Sequence, residues 1–149
     1  MIKIYLDNCC YNRPFDDLSQ LKVNIEANAK LYVQSLIKDK IIQLCYSYMS
    51  LAEIFDCKIE YNKISILEFI AEVDAVYIDY DKLKVIPLAN EAISTGVKEK
   101  DANHTACAII GECDYFLTTD KRLLNYKTDK LKIVNPIDFI NIWEELNNV

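Results

Sequence analysis

The chain has 149 residues, enough for one domain with a substantial core, and 52% of them are hydrophobic, which excludes a disordered tail. A net charge of −6 argues against broad, nonspecific nucleic-acid binding, though not against a local basic patch. No apolar run reaches the roughly 18 residues of a spanning helix, and residues 1–7 lack the long apolar core and small-residue cleavage site of a signal peptide, so no membrane association and a cytoplasmic location are expected.

With 2 glycines and 3 prolines, the elements should be long and the loops few. Residues 2–6 read as a strand ending at Asp7. Apolar residues near helical spacing predict a helix over 20–38, and residues 41–46 read as a second strand. Ser47 or Ser50 is placed to cap a helix that carries Glu53. A helix over 62–73 and a short strand over 75–78 follow. Residues 82–95 read as mostly helical, with Pro87 starting or kinking one segment and Gly96 ending it. Then come a helix over 101–113, a strand over 115–118 and a last strand over 132–134. Asn135 and Pro136 supply the cap and first position of a C-terminal helix. This alternation predicts a single α/β domain over residues 1–149, with a mainly parallel central sheet and helices on both faces. Sites in such sheets form beyond the carboxyl ends of the strands, where Asp7 and Asp120 fall.

Six cysteines occur without any C-x-x-C spacing and beside a single histidine, which argues against zinc. Most lie in apolar runs and read as small buried hydrophobes in a reducing compartment. Four acids stand out instead: Asp7, Glu53, Asp101 and Asp120. Brought together they would suit magnesium or manganese, which take oxygen ligands, and a metal-assisted phosphodiester cut. Each also has an ordinary reading. Asp7 and Asp101 suit helix caps or first turns. Glu53, inside Leu51-Ala52-Glu53-Ile54-Phe55, needs a partner, a metal or an exposed edge. Asp120 could simply open the turn at Lys121-Arg122. Asn8 serves either a turn or a metal-bound water, and Thr118 and Thr119 would orient a carboxylate or a water. His104 shares a helix face with Asp101 and reads as a packed, hydrogen-bonded residue or a substrate contact. Arg13, in the turn-like Arg13-Pro14-Phe15-Asp16-Asp17, either contacts a phosphate or pairs with Asp16 or Asp17. Glu26 approaches the site or Arg13, or lies on a solvated helix face.

The set resembles a PIN domain, the nuclease domain of VapC-type toxins and many relatives. The matching stretches are Tyr5-Leu6-Asp7-Asn8, Leu51-Ala52-Glu53-Ile54, residues 100–108 (Lys100 to Ala108) and residues 114–124 (Asp114 to Leu124), in the family's order. The last two are the specific ones, and residues 8–17 resemble a PIN subgroup. The resemblance implies a Rossmann-like three-layer α/β/α sandwich. It implies a magnesium- or manganese-dependent endoribonuclease in which Asp7, Glu53, Asp101 and Asp120 form the metal-holding quartet. Thr118 or Thr119 would be the supporting hydroxyl. Many family toxins carry Ser or Thr where this chain has Asn8. Expected partners are RNA, a second copy and an antitoxin-like basic segment, with Lys98, Lys100, Lys121 and Arg122 pooled by a dimer into an RNA-guiding rim. The competing readings are a non-catalytic PIN-like RNA- or protein-binding module, and a nuclease or phosphatase acting on DNA or another phosphoester.

Overall fold

Side chains alternate across the central strands, and both sides of those strands are covered. In the strand β1 (Lys3–Leu6), Ile4 and Leu6 point into one core and Tyr5 into the other. The computed structural model describes residues 1–11 and 19–147, so Arg13 and its neighbours lie outside the described residues. After β1 come α1 (Asn8–Tyr11), α2 (Leu21–Lys38), β2 (Gln43–Ser47), α3 (Tyr48–Phe55), α4 (Glu60–Glu72) and β3 (Val76–Ile78). The second half adds α5 (Lys82–Ile93), α6 (Glu99–Ile110), β4 (Tyr115–Leu117), α7 (Lys121–Leu124), β5 (Lys132–Val134) and α8 (Pro136–Leu146).

The described residues form a five-stranded sheet in the order β3-β2-β1-β4-β5, with every pairing parallel. This is the expected α/β fold. One core holds Ile4, Leu6, Leu44, Tyr115 and Leu117 with residues of α2, α4 and α8. The opposite core holds Tyr5, Cys45, Phe116 and Ile133 with residues of α5 and α6. From β1 the chain builds outward to β3, then crosses back and places β4 on β1's other side. The strand order therefore reverses between β1 and β4. At such a reversal the flanking connections leave in opposite directions and open a crevice at the strands' carboxyl ends.

Four helices stop in the same way, and this corrects two strand boundaries. After α2, Lys40 takes φ 59° and Ile41 N–H returns to Leu36 O at 3.0 Å. Ile41 is thus spent on closing the helix, and β2 starts at Gln43 rather than at 41. After α4, Asp74 takes φ 53° and Ala75 N–H returns to Ile70 O, so β3 starts at Val76 rather than at 75. Glu112 does the same after α6, and Gly96 (φ 103°) after α5. A residue in this conformation lets the last carbonyls find partners, but a side chain there costs roughly 1–2 kcal/mol. Gly96 escapes that cost. Gly111, just before Glu112, is needed for another reason: a Cβ there would stand 2.4 Å from Ile78 Cδ1, so α6 packs directly on β3.

Pro87 does not start a helix, one of the two roles expected of it. α5 runs through it from Lys82 to Ile93. Only the bond to Leu83 O is forgone, and Leu83 sits in the first turn with 87% exposure, where water can replace it. The predicted caps Asn135 and Pro136 are in place, with Asn135 Oδ1 accepting from Asp138 N–H at 2.8 Å. Ser50 Oγ accepts from the Ser47 N–H at 3.1 Å, bracing the start of α3. No helix among the described residues is long and apolar enough to cross a membrane.

Candidate metal and active site

Asp7 follows β1 directly, and its N–H continues the sheet by donating to Leu117 O at 2.9 Å. Its carboxylate is held at both oxygens. Oδ1 accepts from Asn8 N–H at 2.7 Å, and Oδ2 accepts from Thr118 Oγ1 at 2.7 Å. Thr118 is fully buried and also accepts from Asp120 N–H at 3.1 Å. One hydroxyl thus ties the end of β1 to the loop leaving β4. Asp120 caps α7, with Oδ1 accepting from Arg122 N–H at 2.9 Å. Thr119 turns away from this bridge and donates to Cys9 Sγ at 3.3 Å.

Glu53 reaches the crevice from α3, the helix that leaves β2. One of its oxygens, Oε1, meets both His104 Nε2 and Lys100 Nζ, the latter at 3.5 Å. Its side chain is 9% exposed and that of His104 1%. Burial pushes the Glu53 carboxyl up, but the hydrogen bond and charge of His104, followed by Lys100, outweigh it and leave the group below its ordinary value. Behind His104 lies a chain of buried polar groups. Nδ1 bonds Tyr5 Oη at 2.5 Å, and Tyr5 Oη bonds Ser47 Oγ at 2.7 Å and accepts from Ser50 Oγ at 3.0 Å. Burial raises the Tyr5 hydroxyl well above its usual range, although the two serines oppose it. Tyr5 therefore stays neutral and can donate.

Asp101 lies in the first turn of α6, whose N-cap is Lys98. Its carboxylate makes no hydrogen bond or ion pair among the described residues. Burial is the main cause that raises its pKa; the charges of Asp7 and Asp120 add to it, Glu53 adds less, and His104 opposes. The charges of the other three acids thus act on Asp101. One ligand atom each of Asp7, Glu53 and His104 lie within 4.8 Å of one another. Asn8 Oδ1 is buried without a hydrogen-bond partner among the described residues. An unrelieved carboxylate, an unpartnered amide oxygen and an oxygen-rich donor set fit a hard divalent cation.

His104 is too deeply buried to offer a face to a substrate, and its two ring nitrogens are taken by Glu53 and Tyr5. Lys100 bends to Glu53, whereas Lys98, Lys121 and Arg122 are exposed. Glu26 is half-buried on α2, with no hydrogen bond or ion pair among the described residues. Sequence reasoning missed Tyr5, Ser47 and Ser50 as a group and Lys100 as the partner of Glu53. One signal was present: a tyrosine between apolar residues in a buried strand must find a partner for its hydroxyl.

No protein-family model matches the chain, and no curated protein matches it in sequence. Among solved structures, a member of the VapBC family of toxin–antitoxin systems, VapBC-5 from Mycobacterium tuberculosis, is similar over 91% of this chain and 99% of that one. The identity is 14% and the TM-score 0.49, which fixes no residue's role here.

Proposed function

We propose that this chain is a PIN-type, magnesium- or manganese-dependent endoribonuclease. The observation that carries the reading is Asp101: a half-buried carboxylate raised by burial and by Asp7 and Asp120 against the opposing charge of His104, with no hydrogen bond or ion pair among the described residues. Asp7, Asp101 and Asp120 would hold the ion, with Glu53 at its side and Asn8 within reach of a coordinated water. Bound there, such an ion polarises phosphoryl oxygens and lowers the pKa of a water. The chain's own residues do the rest. Thr118 holds Asp7 and the Asp120 loop in fixed relation. His104, braced by Tyr5, orients Glu53. A carboxylate of the set would accept the water's proton as the water oxygen bonds to phosphorus and the bond to the leaving ribose oxygen breaks, that oxygen taking a proton from solvent. We extend the proposal to a role as the toxin of a toxin–antitoxin pair, acting as a dimer. An arginine or lysine from an antitoxin-like partner would find the acids that the chain leaves without a cation.

Purified protein should cleave RNA with magnesium or manganese and not in EDTA, and Asp101→Asn should abolish cleavage while remaining folded. Full activity in EDTA would overturn the reading. One observation favours a second reading. Glu53 is already neutralised by His104 and Lys100, as it would be in a non-catalytic binding module. RNA binding with no cleavage under any divalent ion would favour that module, and a panel of single-stranded RNA, structured RNA and DNA separates a ribonuclease from a DNA nuclease.

A further inference from the structure

A second feature of the surface adjoins the acids. α7 begins at Asp120 and spans four residues, about 6 Å of helix. At its far end a groove of about 400 Å³ opens between α7 and the end of α5. Thr95, Gly96, Arg122, Asn125, Tyr126 and Lys127 line it, and none of its lining residues is acidic. In a chain of net charge −6 that lining is locally cationic. The Arg122 side chain has no hydrogen bond or ion pair among the described residues. Lys127 Nζ folds back onto Leu124 O at 3.1 Å, which sets its charge at the end of α7 nearest the groove. Gly96 leaves the wall open, since no atom stands within 4 Å of where its Cβ would be. A larger cavity of about 640 Å³ lies at the amino ends of the strands. It mixes Asp114 and Asp129 with Lys130 and Lys132, so it presents no comparable field to a polyanion.

Resting on the nuclease reading, we infer that the groove between α5 and α7 holds the phosphate backbone of the RNA strand next to the bond being cut, with Arg122 and Lys127 as its phosphate contacts. The acids alone repel the substrate they act on. A neighbouring cationic groove, one short helix away, supplies the attraction and fixes the direction in which the strand leaves the crevice. A guanidinium suits this task because its planar donors match two phosphate oxygens at once. Thr95 and Asn125 add neutral donors on either side, a composition that reads backbone rather than base.

The test is binding of a fluorescent single-stranded RNA oligonucleotide in EDTA, measured over a salt series, alongside cleavage with magnesium. Arg122→Ala and Lys127→Ala should each weaken binding roughly two- to fivefold, as exposed charge contacts do. The double variant should flatten the slope of log affinity against log salt by about 1.4, about 0.7 for each lost contact to a single strand. Arg122→Lys should recover part of the slope. Lys84→Ala, an equal loss of charge on an exposed residue at the other end of α5, should leave it unchanged. If the wild type cleaves RNA yet the double variant keeps its slope, the groove assignment is wrong while the nuclease reading stands. If RNA binding depends on the groove but no divalent ion supports cleavage, the groove stands and the nuclease reading falls. If the wild type neither binds nor cleaves, both fall.

Discussion

The two halves of the crevice are built on opposite plans. On the β2–α3 side, Glu53 is buried, bonded to His104, met by Lys100 and backed by Tyr5, Ser47 and Ser50. It is treated like a polar group in a protein core, with its charge matched and its pKa lowered. On the other side, the Asp101 carboxylate has no hydrogen bond or ion pair among the described residues, and burial raises it, with the charges of Asp7 and Asp120 adding. The first half is a satisfied network that fixes geometry. In the second, Asp7 and Asp120 accept hydrogen bonds from the protein, while the Asp101 carboxylate accepts none among the described residues. A site that must bind a cation cannot satisfy its own ligands, because every internal partner competes with the ion. A site that must also be rigid needs some ligand satisfied in advance. On the proposed metal-site reading, the two halves divide these demands between them.

The comparison can be broken by changing one half at a time. Asp101→Asn should lower metal-dependent cleavage by at least about a hundredfold, more than the loss expected for an outer partner of a metal ligand. The same change should raise the melting temperature of the metal-free protein, since it removes a carboxylate that burial and its neighbours disfavour. Thermal denaturation in EDTA checks this, and a fall in melting temperature would contradict the unsatisfied half.

His104→Ala acts on the other half. It leaves Glu53 and the Tyr5 hydroxyl short of a buried partner and should cost about 2–4 kcal/mol in urea unfolding. Tyr5→Phe keeps the ring and its edge contacts with His104 and Phe116 but removes the hydroxyl that three side chains share. It should cost about 1–3 kcal/mol, and Asp101→Asn combined with it should be additive unless the halves are coupled.

The halves should also separate by pH. A carboxyl raised by folding, as Asp101 is, holds its proton to higher pH than the unfolded chain does. Its cost to stability is absent below the ordinary aspartate value and sets in as pH rises through the raised one. Metal requires the ionised form, so manganese affinity followed by calorimetry should fall by up to about tenfold per unit as pH drops through that raised value. Glu53 has the opposite sign. Its contribution is present above the ordinary glutamate value and is lost only as pH falls through the depressed one. In magnesium the two effects therefore appear at different pH. A substitution away from both halves provides the smallest effect. Glu112→Gly, at φ 55° after α6, should stabilise the fold by about 0.5–1 kcal/mol without altering metal affinity.

Much of this was legible in the chain. Apolar runs over residues 2–6, 41–46 and 115–118 were read as strands, because a strand buried on both faces must be apolar on both. The caps at Asn135 and Pro136 were local chemistry and were read correctly. So was the position of Asp7 and Asp120 past strand ends. Boundaries at 41 and 75 were misjudged, since Lys40 and Asp74 carry no sign that they will adopt a left-handed conformation usually left to glycine. Pro87 did not start a helix because a missing hydrogen bond is costly only where water cannot replace it, and exposure is not written in the sequence.

The sequence by itself determined which residue types were available: four candidate site acids among 23 acidic residues, one histidine, few glycines, and apolar runs at strand and helix periods. Only the tertiary structure decided which acid would be paired and which left without a partner among the described residues. Glu53 and His104 are 51 positions apart, and Tyr5 and His104 are 99 apart. No local periodicity connects them. Their pairing follows from the strand order, which sets β1 between β2 and β4 and brings α3 and α6 together over its end. Burial and charge then act over a few ångströms of space, regardless of separation along the chain.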